Sequence, residues 1–235
     1  MGTELRLSGE AKKVLDEHLA IFNQKHKIDF EKDIEERTYR RTKTYASFHS
    51  REGLNSLSLD DFKTKMYGLW AFKGWANKDW FFENTMKVSS ENLSEVTNCI
   101  ADLCFGSEDI AARVNVFLEQ TNGMRNAFLS EILYLATDSK YPIFNQKAKT
   151  VIEQLGINLN DKLPRGKKRD RGLIYKEFIS AYREILSYVS AKEPKINDFE
   201  KLDALFWKVN YSDESSPITG VNDRSNSHAL DSKII

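Results

Sequence analysis

The stretch from Met124 to Ala136 constrains the fold more than any other part of the sequence. Its apolar residues fall on nearly every side of a helical wheel: Met124, Ala127, Phe128, Leu129, Ile132, Leu133, Leu135 and Ala136. A surface helix has a single apolar stripe, so a helix that is apolar all round is expected inside a bundle. The sequence therefore predicts a mainly α-helical domain built around this helix.

Further amphipathic helices are predicted on both sides of the central one. Apolar residues recur at helical spacing in residues 14–22, 62–70, 93–103, 110–118, 148–155, 174–189 and 202–209. Ser58 and Asp61 form a capping box, and Gly156 is a typical helix stop. Within residues 28–88 the pattern is weaker, because Thr, Tyr, Ser and Trp are frequent there. Loops or a small β element are expected in that stretch.

Changes in composition divide the chain into three parts. Residues 1–89 are predicted to form an N-terminal helical region with a basic and aromatic loop, and residues 90–210 a second helical region. Residues 211–235 are polar, poor in aromatic residues and without a period. Such a composition is typical of a disordered tail or a linker.

Overall charge and cysteine usage exclude several classes of function. The 35 basic residues balance 35 acidic ones, so any electrostatic argument for a nucleic-acid partner must be local. Cys99 and Cys104 are not a CxxC pair and the histidines are scattered, which argues against a metal site and favours reduced thiols. With no apolar run near ~20 residues and no leader, we expect a cytoplasmic protein without membrane contact or cofactor.

Residues 36–51 form the first segment that predicts contact with nucleic acid. After Glu36 the segment has no acid, and cations alternate with aromatic rings. Guanidinium groups pair with phosphate oxygens, and aromatic faces stack on bases. The candidate phosphate contacts are Arg37, Arg40, Arg41 and Lys43, and the candidate stacking residues are Tyr39 and Tyr45. A solvated loop without a ligand is the alternative.

The second basic segment is KLPRGKKRDRG, residues 162–172, which is expected to be a loop between helices. A flexible basic loop can follow a phosphate backbone without reading the base sequence. The candidate DNA contacts here are Arg165, Lys167, Lys168, Arg169 and Arg171. An ordinary charged surface loop is the alternative.

The segment 68–86 is rich in tryptophan. Trp75 and Trp80 are candidates for stacking on a base that has been turned out of a duplex. The alternative is that these rings belong to the hydrophobic core.

The centre of the chain resembles the helix-hairpin-helix superfamily of base-excision DNA glycosylases. The resemblance lies in Gly123 and Ala127 at the entry to the buried helix, in the turn YPIFN at residues 141–145, and in a helix that closes on Leu155-Gly156. Residues 202–207 are similar to the last helix of that fold, so the resemblance covers roughly residues 90–209. It implies a glycosylase-like helical bundle.

Two positions depart from the active enzymes of that superfamily. Where those enzymes carry the catalytic aspartate this chain has Asn145, and where the bifunctional members carry a lysine it has Arg125. A neutral amide cannot act as a base, and a guanidinium cannot act as an amine nucleophile. The resemblance therefore implies DNA binding without catalysis, with Arg125 as a further DNA contact.

The pattern around SEILYL and YPIFN is also similar to the N-terminal parts of McrB-like proteins in modification-dependent restriction systems. In those proteins a front domain recognises DNA and a motor domain follows. This chain contains no GxxxxGK[ST] loop. The resemblance implies a DNA-recognition domain of a restriction or defence system, with an AAA+ motor domain or a restriction protein as partner.

We expect a non-catalytic domain that binds double-stranded DNA and recognises a modified or flipped base. Two other functions remain open. One is an active glycosylase with an atypical acid, for which Glu131, Asp138 and Asp203 are available. The other is a protein-interaction domain whose basic loops are incidental.

Overall fold

The computed structural model describes residues 7–73, 75–160, 163 and 170–211. The α-helices are α1 (Gly9–Lys25), α2 (Lys27–Tyr39), α3 (Arg51–Asn55), α4 (Leu59–Tyr67), α5 (Lys78–Trp80), α6 (Leu93–Phe105), α7 (Ile110–Gln120), α8 (Asn126–Ala136), α9 (Gln146–Gln154), α10 (Arg171–Lys192) and α11 (Phe199–Tyr211). Short π- or 3-10-helical turns lie at Arg40–Thr44, Ala46–His49, Trp70–Phe72 and Phe81–Met86. The predicted mainly α-helical class is confirmed.

Helix α8 lies in the middle of the core, as predicted. Residues 128–136 are all buried. The backbone N–H of Phe144 donates to Ser130 Oγ of α8 at 2.9 Å, and the Tyr175 hydroxyl of α10 donates to the carbonyl of Pro142 at 2.9 Å. These two bonds hold the YPIFN turn between α8 and α10. The turn in turn places Asn145 at the start of α9.

The expected β element within residues 28–88 is wrong, because the described residues of that stretch contain no strand. Helix α2 runs instead into the π-helical turn Arg40–Thr44. Its apolar period is weak because the face turned to the core carries Arg37, which is only 7% exposed and pairs with carboxylates. A search for apolar periodicity cannot detect a helix that is buried through its charges.

Residues from both predicted helical regions share one hydrophobic core. The C-terminal helix α11 packs against α1, α2 and α9, so it joins the two ends of the described chain. The boundary near residue 89 stays a prediction. The predicted tail beyond Tyr211 lies outside the described residues.

Helices α7 and α10 approach each other closely at Gly172. A Cβ atom on Gly172 would lie 2.0 Å from the carbonyl oxygen of Ala111. The backbone N–H of Gly172 also donates to the side-chain oxygen of Asn115 at 2.9 Å, and Asn115 Nδ2 donates to Asp170 at 2.8 Å. Only glycine allows this contact between the two backbones.

We expect Gly172→Ala to lower the free energy of unfolding by about 2 kcal/mol or more, because the added methyl group forces the backbone of α7 away. Gly9→Ala is a matched control, since Gly9 also lies in the first turn of a helix but its Cβ would meet nothing within 4 Å. Urea denaturation compares the two variants. Equal stability would show that α7 and α10 can separate without cost.

Candidate functional site

A cavity of about 800 Å³ opens between the N-terminal and C-terminal helices. Helix α2 and its following turn, the Trp70–Phe72 turn with α8, and the start of α9 with α11 form its walls. The lining residues are Asp33, Glu36, Arg37, Arg40, Trp70, Ala71, Lys73, Ala127, Glu131, Ile143, Asn145, Gln146, Lys147, Asp203 and Trp207. Ligand pockets typically measure roughly 300–1,000 Å³. The cavity is therefore large enough for a small ligand.

Arg37 joins α2 to α11 in the buried part of the cavity. Its Nη1 donates to Asp203 Oδ2 at 2.8 Å, and its Nε lies 3.3 Å from Asp33 Oδ2. Burial opposes the charge of Arg37, but the two carboxylates outweigh burial and raise its pKa above the ordinary value. Arg37 therefore stays charged and holds Asp203 in place.

Arg41, in the turn that follows α2, makes a second connection to α11. Its Nη2 lies 3.3 Å from Glu200 Oε2, and its Nη1 pairs with Asp138. Glu200 also accepts a hydrogen bond from the hydroxyl of Tyr134 on α8. Burial and the Glu200 carboxylate raise the pKa of Tyr134, so the phenol remains a donor. Three helical segments thus meet at Glu200.

The buried carboxylate of Glu131 fixes the position of the Trp70–Phe72 turn. Its Oε1 accepts from the backbone N–H of Trp70 at 2.8 Å and from Arg40 Nη2 at 2.7 Å, and its Oε2 accepts from the N–H of Ala71 at 2.9 Å. Burial raises the pKa of Glu131 above its ordinary value, while Arg40 and the two amides act in the opposite direction. Arg40 also donates to the carbonyl of Gly68 at 2.9 Å. Glu131 is therefore committed to holding this turn.

The Trp70 ring and the Arg40 guanidinium give the cavity a planar wall. The guanidinium carbon of Arg40 lies 4.2 Å from the centre of the Trp70 ring, and that of Arg37 lies 5.0 Å from it. Tyr134 stacks on Trp70 with 6.2 Å between the ring centres. Contacts of a cation with an aromatic face are attractive, more so away from water. The Arg40 guanidinium also lies 4.8 Å from the centre of the Tyr45 ring, so it connects the Trp70 and Tyr45 rings.

Asn145 and Asp203 offer the cavity one donor and one acceptor. The side-chain oxygen of Asn145 accepts from the backbone N–H of Ala148 at 2.9 Å, which confirms the predicted helix cap. Its amide nitrogen is then the group that Asn145 can present to a ligand. Since Oδ2 of Asp203 is held by Arg37, Oδ1 is the acceptor that Asp203 can present. These groups suit a ligand with a mixed hydrogen-bonding edge.

The mouth of the cavity is formed by its exposed lining residues, Glu36, Lys73, Gln146 and Trp207, whereas Lys147 is half-buried. Lys147 Nζ lies 4.0 Å from the centre of the Trp207 ring. Lys73 follows the Trp70–Phe72 turn and also lines the cavity. One aromatic ring and two ammonium groups therefore line this part of the chain's cavity.

The predicted DNA-contacting cations fall into three groups. Arg37, Arg40 and Arg41 are engaged in the interior ion pairs described above, so the structure gives them a structural role that the sequence did not indicate. The exposed members of the set are Lys43, Arg125 and Arg171. The remaining candidates, Arg165, Lys167, Lys168 and Arg169, lie outside the described residues. Contact of any of these residues with DNA stays a prediction.

The predicted stacking residues do not line the cavity. Tyr45 is 1% exposed and donates its hydroxyl to the carbonyl of Lys65 at 2.9 Å, and burial raises the pKa of Tyr45 to about 12. A base could not reach this ring in the folded protein. Tyr39, Trp75 and Trp80 are exposed and are not among the residues that line the cavity. Trp75 packs on Phe81, with 4.0 Å between the ring centres.

Sequence reasoning missed Lys73, Lys147 and Trp207 as possible ligand contacts. Neither Lys73 nor Lys147 belongs to a cluster of basic residues in the sequence, so neither was indicated as a phosphate contact. Trp207 drew attention only as part of a similar terminal helix. One available signal was the position of Lys147, two residues after the cap of a helix whose first turn contains no acid.

The described part of the chain shows neither a metal site nor a membrane-spanning helix. No group of three or more His, Cys, Asp or Glu side chains there could hold a metal ion. Among the same residues, no helix is both long and apolar enough to cross a membrane.

Comparison of the chain with protein-family models, with curated proteins and with solved structures found no match.

We expect Arg40→Ala to cost about 3 to 5 kcal/mol of stability, because it leaves the buried carboxylate of Glu131 without its cation. Lys43→Ala, three residues further along, is the control and should stay within about 0.5 kcal/mol of the wild type, since Lys43 is exposed. Thermal and urea unfolding measure both changes. A small effect of Arg40→Ala would mean that Glu131 is held by its backbone donors alone.

Proposed function

We propose that this chain is a DNA-binding domain that takes a base out of the duplex into the 800 Å³ cavity, without catalysing a reaction. The single observation that carries the proposal is the combination, in one cavity, of a planar wall at Trp70 and Arg40 with the donor of Asn145 and the acceptor of Asp203. A flipped base is read in this way, by stacking and by hydrogen bonds to its edge.

The resemblance to helix-hairpin-helix glycosylases supports the proposal at one further point. Asn145 stands where those enzymes carry their catalytic aspartate, and it lines the cavity as the cap of α9. A glycosylase-like arrangement of the helices would bring a base to this position. We extend the proposal to a restriction or defence system in which an AAA+ motor domain or a restriction protein acts on the recognised DNA.

Binding to the duplex outside the cavity would depend on the remaining cations. Lys43, Arg125 and Arg171 are exposed and available for phosphate contacts. The basic segment at residues 162–172, most of which lies outside the described residues, would add contacts that do not depend on base sequence. Binding through phosphates releases counterions, so DNA retention should weaken steeply as salt increases.

We expect Trp207→Ala to weaken binding to a duplex with an unpaired base by about 1 to 3 kcal/mol, because a ring at the mouth of the cavity is lost. Binding to a fully paired duplex should change little. Trp80→Ala is the control, since Trp80 is exposed at 57% but does not line the cavity. Fluorescence anisotropy on methylated, plain and mismatched duplexes makes the comparison. Equal effects of the two substitutions on all duplexes would remove the cavity from DNA recognition.

An active glycosylase is the second candidate function, and one observation favours it. Of the three available acids, Glu131 is committed to its three donors, and Asp138 is exposed and does not line the cavity. Asp203 lines the cavity and keeps one oxygen for a ligand. If the chain releases bases, Asp203 is the acid to examine.

We expect the purified protein to form no abasic product on plain or methylated duplexes, because Asn145 cannot supply a carboxylate. Asn145→Ala should cost about 1 kcal/mol of stability through loss of the cap, and no activity. Product formed by the wild type, lost in Asp203→Asn and kept in Glu200→Gln, would establish the second candidate. Glu200→Gln is matched because Glu200 is another ion-paired acid of α11 that does not line the cavity.

A protein-interaction domain is the third candidate and differs in its response to salt. Such a domain would show no salt-dependent retention on DNA of any kind. The cavity would then be incidental to its function.

A further inference from the structure

We infer that Trp75, which does not line the cavity, forms a binding site for an unpaired base of single-stranded nucleic acid. The inference goes beyond the proposed function and does not depend on a base entering the cavity. It assigns the base stack to the indole ring of Trp75, and the phosphate contacts to the side chains of Lys73 and Arg125.

The Trp75 ring is the exposed end of a stack of three aromatic rings. Phe128 of α8 and Phe81 are buried and nearly parallel, with 6.0 Å between their ring centres and 10° between their planes. Trp75 packs on Phe81 with 4.0 Å between the ring centres and a tilt of 39°, and it is still 43% exposed. Since Phe81 covers one face of the indole, the opposite face is open to solvent. A base on that face would continue the stack, and such stacking is how single strands are bound without regard to sequence.

The position of Trp75 is fixed before any ligand binds. Its backbone N–H donates to the carbonyl of Phe72 at 3.1 Å, and Phe72 belongs to the turn that Glu131 holds through two backbone amides. On the other side of Trp75, Asp79 accepts a hydrogen bond from the hydroxyl of Tyr67 on α4 at 2.8 Å. The segment is thus attached to the bundle at both ends. A ring that is already in place loses little conformational freedom when a ligand binds.

The charges around Trp75 favour an anionic partner. The two acids that follow it, Asp79 and Glu83, both pair with Lys63, at 2.7 and 3.4 Å. Lys73, two residues before Trp75, is exposed and forms no ion pair with a described residue. A nucleic-acid strand brings bases and phosphates together, whereas an aromatic peptide has no obligatory negative charge. The exposed ring beside an uncompensated cation therefore favours a nucleic-acid strand over a peptide.

The hairpin at residues 121–125, before α8, adds a second cation. A Cβ atom on Gly123 would lie 3.2 Å from Cζ of Phe81, so the hairpin packs directly against the ring on which Trp75 rests. Arg125, two residues later, is exposed and forms no ion pair with a described residue. Phe72, next to Lys73 in the chain, also contacts Phe81, with 5.5 Å between the ring centres. The two cations thus belong to two separate segments that both contact the stack.

The test measures binding of single strands to the full chain by fluorescence anisotropy. The probes are a labelled oligodeoxythymidine of about eight nucleotides, a length typical of single-strand sites, and an abasic strand with the same number of phosphates. We expect Trp75→Ala to weaken binding of the oligodeoxythymidine by about tenfold, the effect of one lost base stack, and to leave binding of the abasic strand unchanged. Trp75→Phe should keep most of the affinity, because a phenyl ring still offers a face to the base.

Trp80→Ala is the matched control and should leave both affinities nearly unchanged. Trp80 is 57% exposed in the same segment but does not belong to the stack of rings. If Trp75→Ala unfolds, Trp75→Leu replaces it, because leucine keeps the apolar packing on Phe81 and removes the aromatic face. Absence of oligodeoxythymidine binding, equal binding of the two strands by the wild type, or equal losses in Trp75→Ala and Trp80→Ala would overturn the inference.

Two further sets of variants test the phosphate contacts and the independence from the cavity. Lys73→Gln and Arg125→Gln should each weaken binding of both strands and lower the salt slope by about 0.7, the value for one phosphate contact in a single strand. Unchanged slopes in both would overturn the assignment of these cations. Trp207→Ala, at the cavity, should leave oligodeoxythymidine binding unchanged, so that loss of duplex recognition in that variant concerns the proposed function alone. A loss of oligodeoxythymidine binding in Trp207→Ala equal to that in Trp75→Ala would overturn the inference of a site outside the cavity.

Discussion

The carboxylate of Glu131, buried at the centre of the bundle, is the constraint on which the site depends. A charge in the interior is costly unless it is paired and fully hydrogen bonded. Here Arg40 and the amides of Trp70 and Ala71 meet that requirement together. A conformation that moved the 70–72 turn or the 40–44 turn would leave the carboxylate unsatisfied. Two of the three walls of the cavity are therefore positioned by the same side chain.

The ion pairs of Arg37 and Arg41 extend this arrangement to the C-terminal helix α11. An apolar interface could join the same helices, but apolar side chains would fill the cavity and would offer no hydrogen-bonding groups to a polar ligand. Paired charges leave oriented donors and acceptors at the surface of a cavity, at the cost of removing them from water. The ion pairs between α2, α8 and α11 thus connect the two ends of the described chain. The ion pairs of Arg37 and Arg40 also line the cavity.

The fold was predictable where burial follows apolar periodicity, and unpredictable where it follows charge. The sequence signals of α8 and of the Asn145 cap are local. Helix α8 is indicated by apolar side chains on every face of the helix, and the cap by an asparagine that follows a proline-containing turn. The arginines at 37 to 41 carry a local signal for phosphate contacts. Their partners Glu131, Glu200 and Asp203, however, are distant in the chain, and the nearest pair, Arg40 and Glu131, is 91 residues apart. Sequence spacing does not show which charges meet in the folded protein. The cavity, assembled from five separate segments, was hidden for the same reason.

At residue 145, the cap at the start of α9, the stability of the helix and the chemistry of the cavity wall can vary independently. Asparagine and aspartate cap a helix about equally well. The helix therefore has little preference between the two, although only one of them would bring a carboxylate to the cavity wall. A single exchange at residue 145 could add or remove an acid there while the fold is retained. In evolutionary terms, the chemistry of this cavity wall can change without the fold first having to be restabilised.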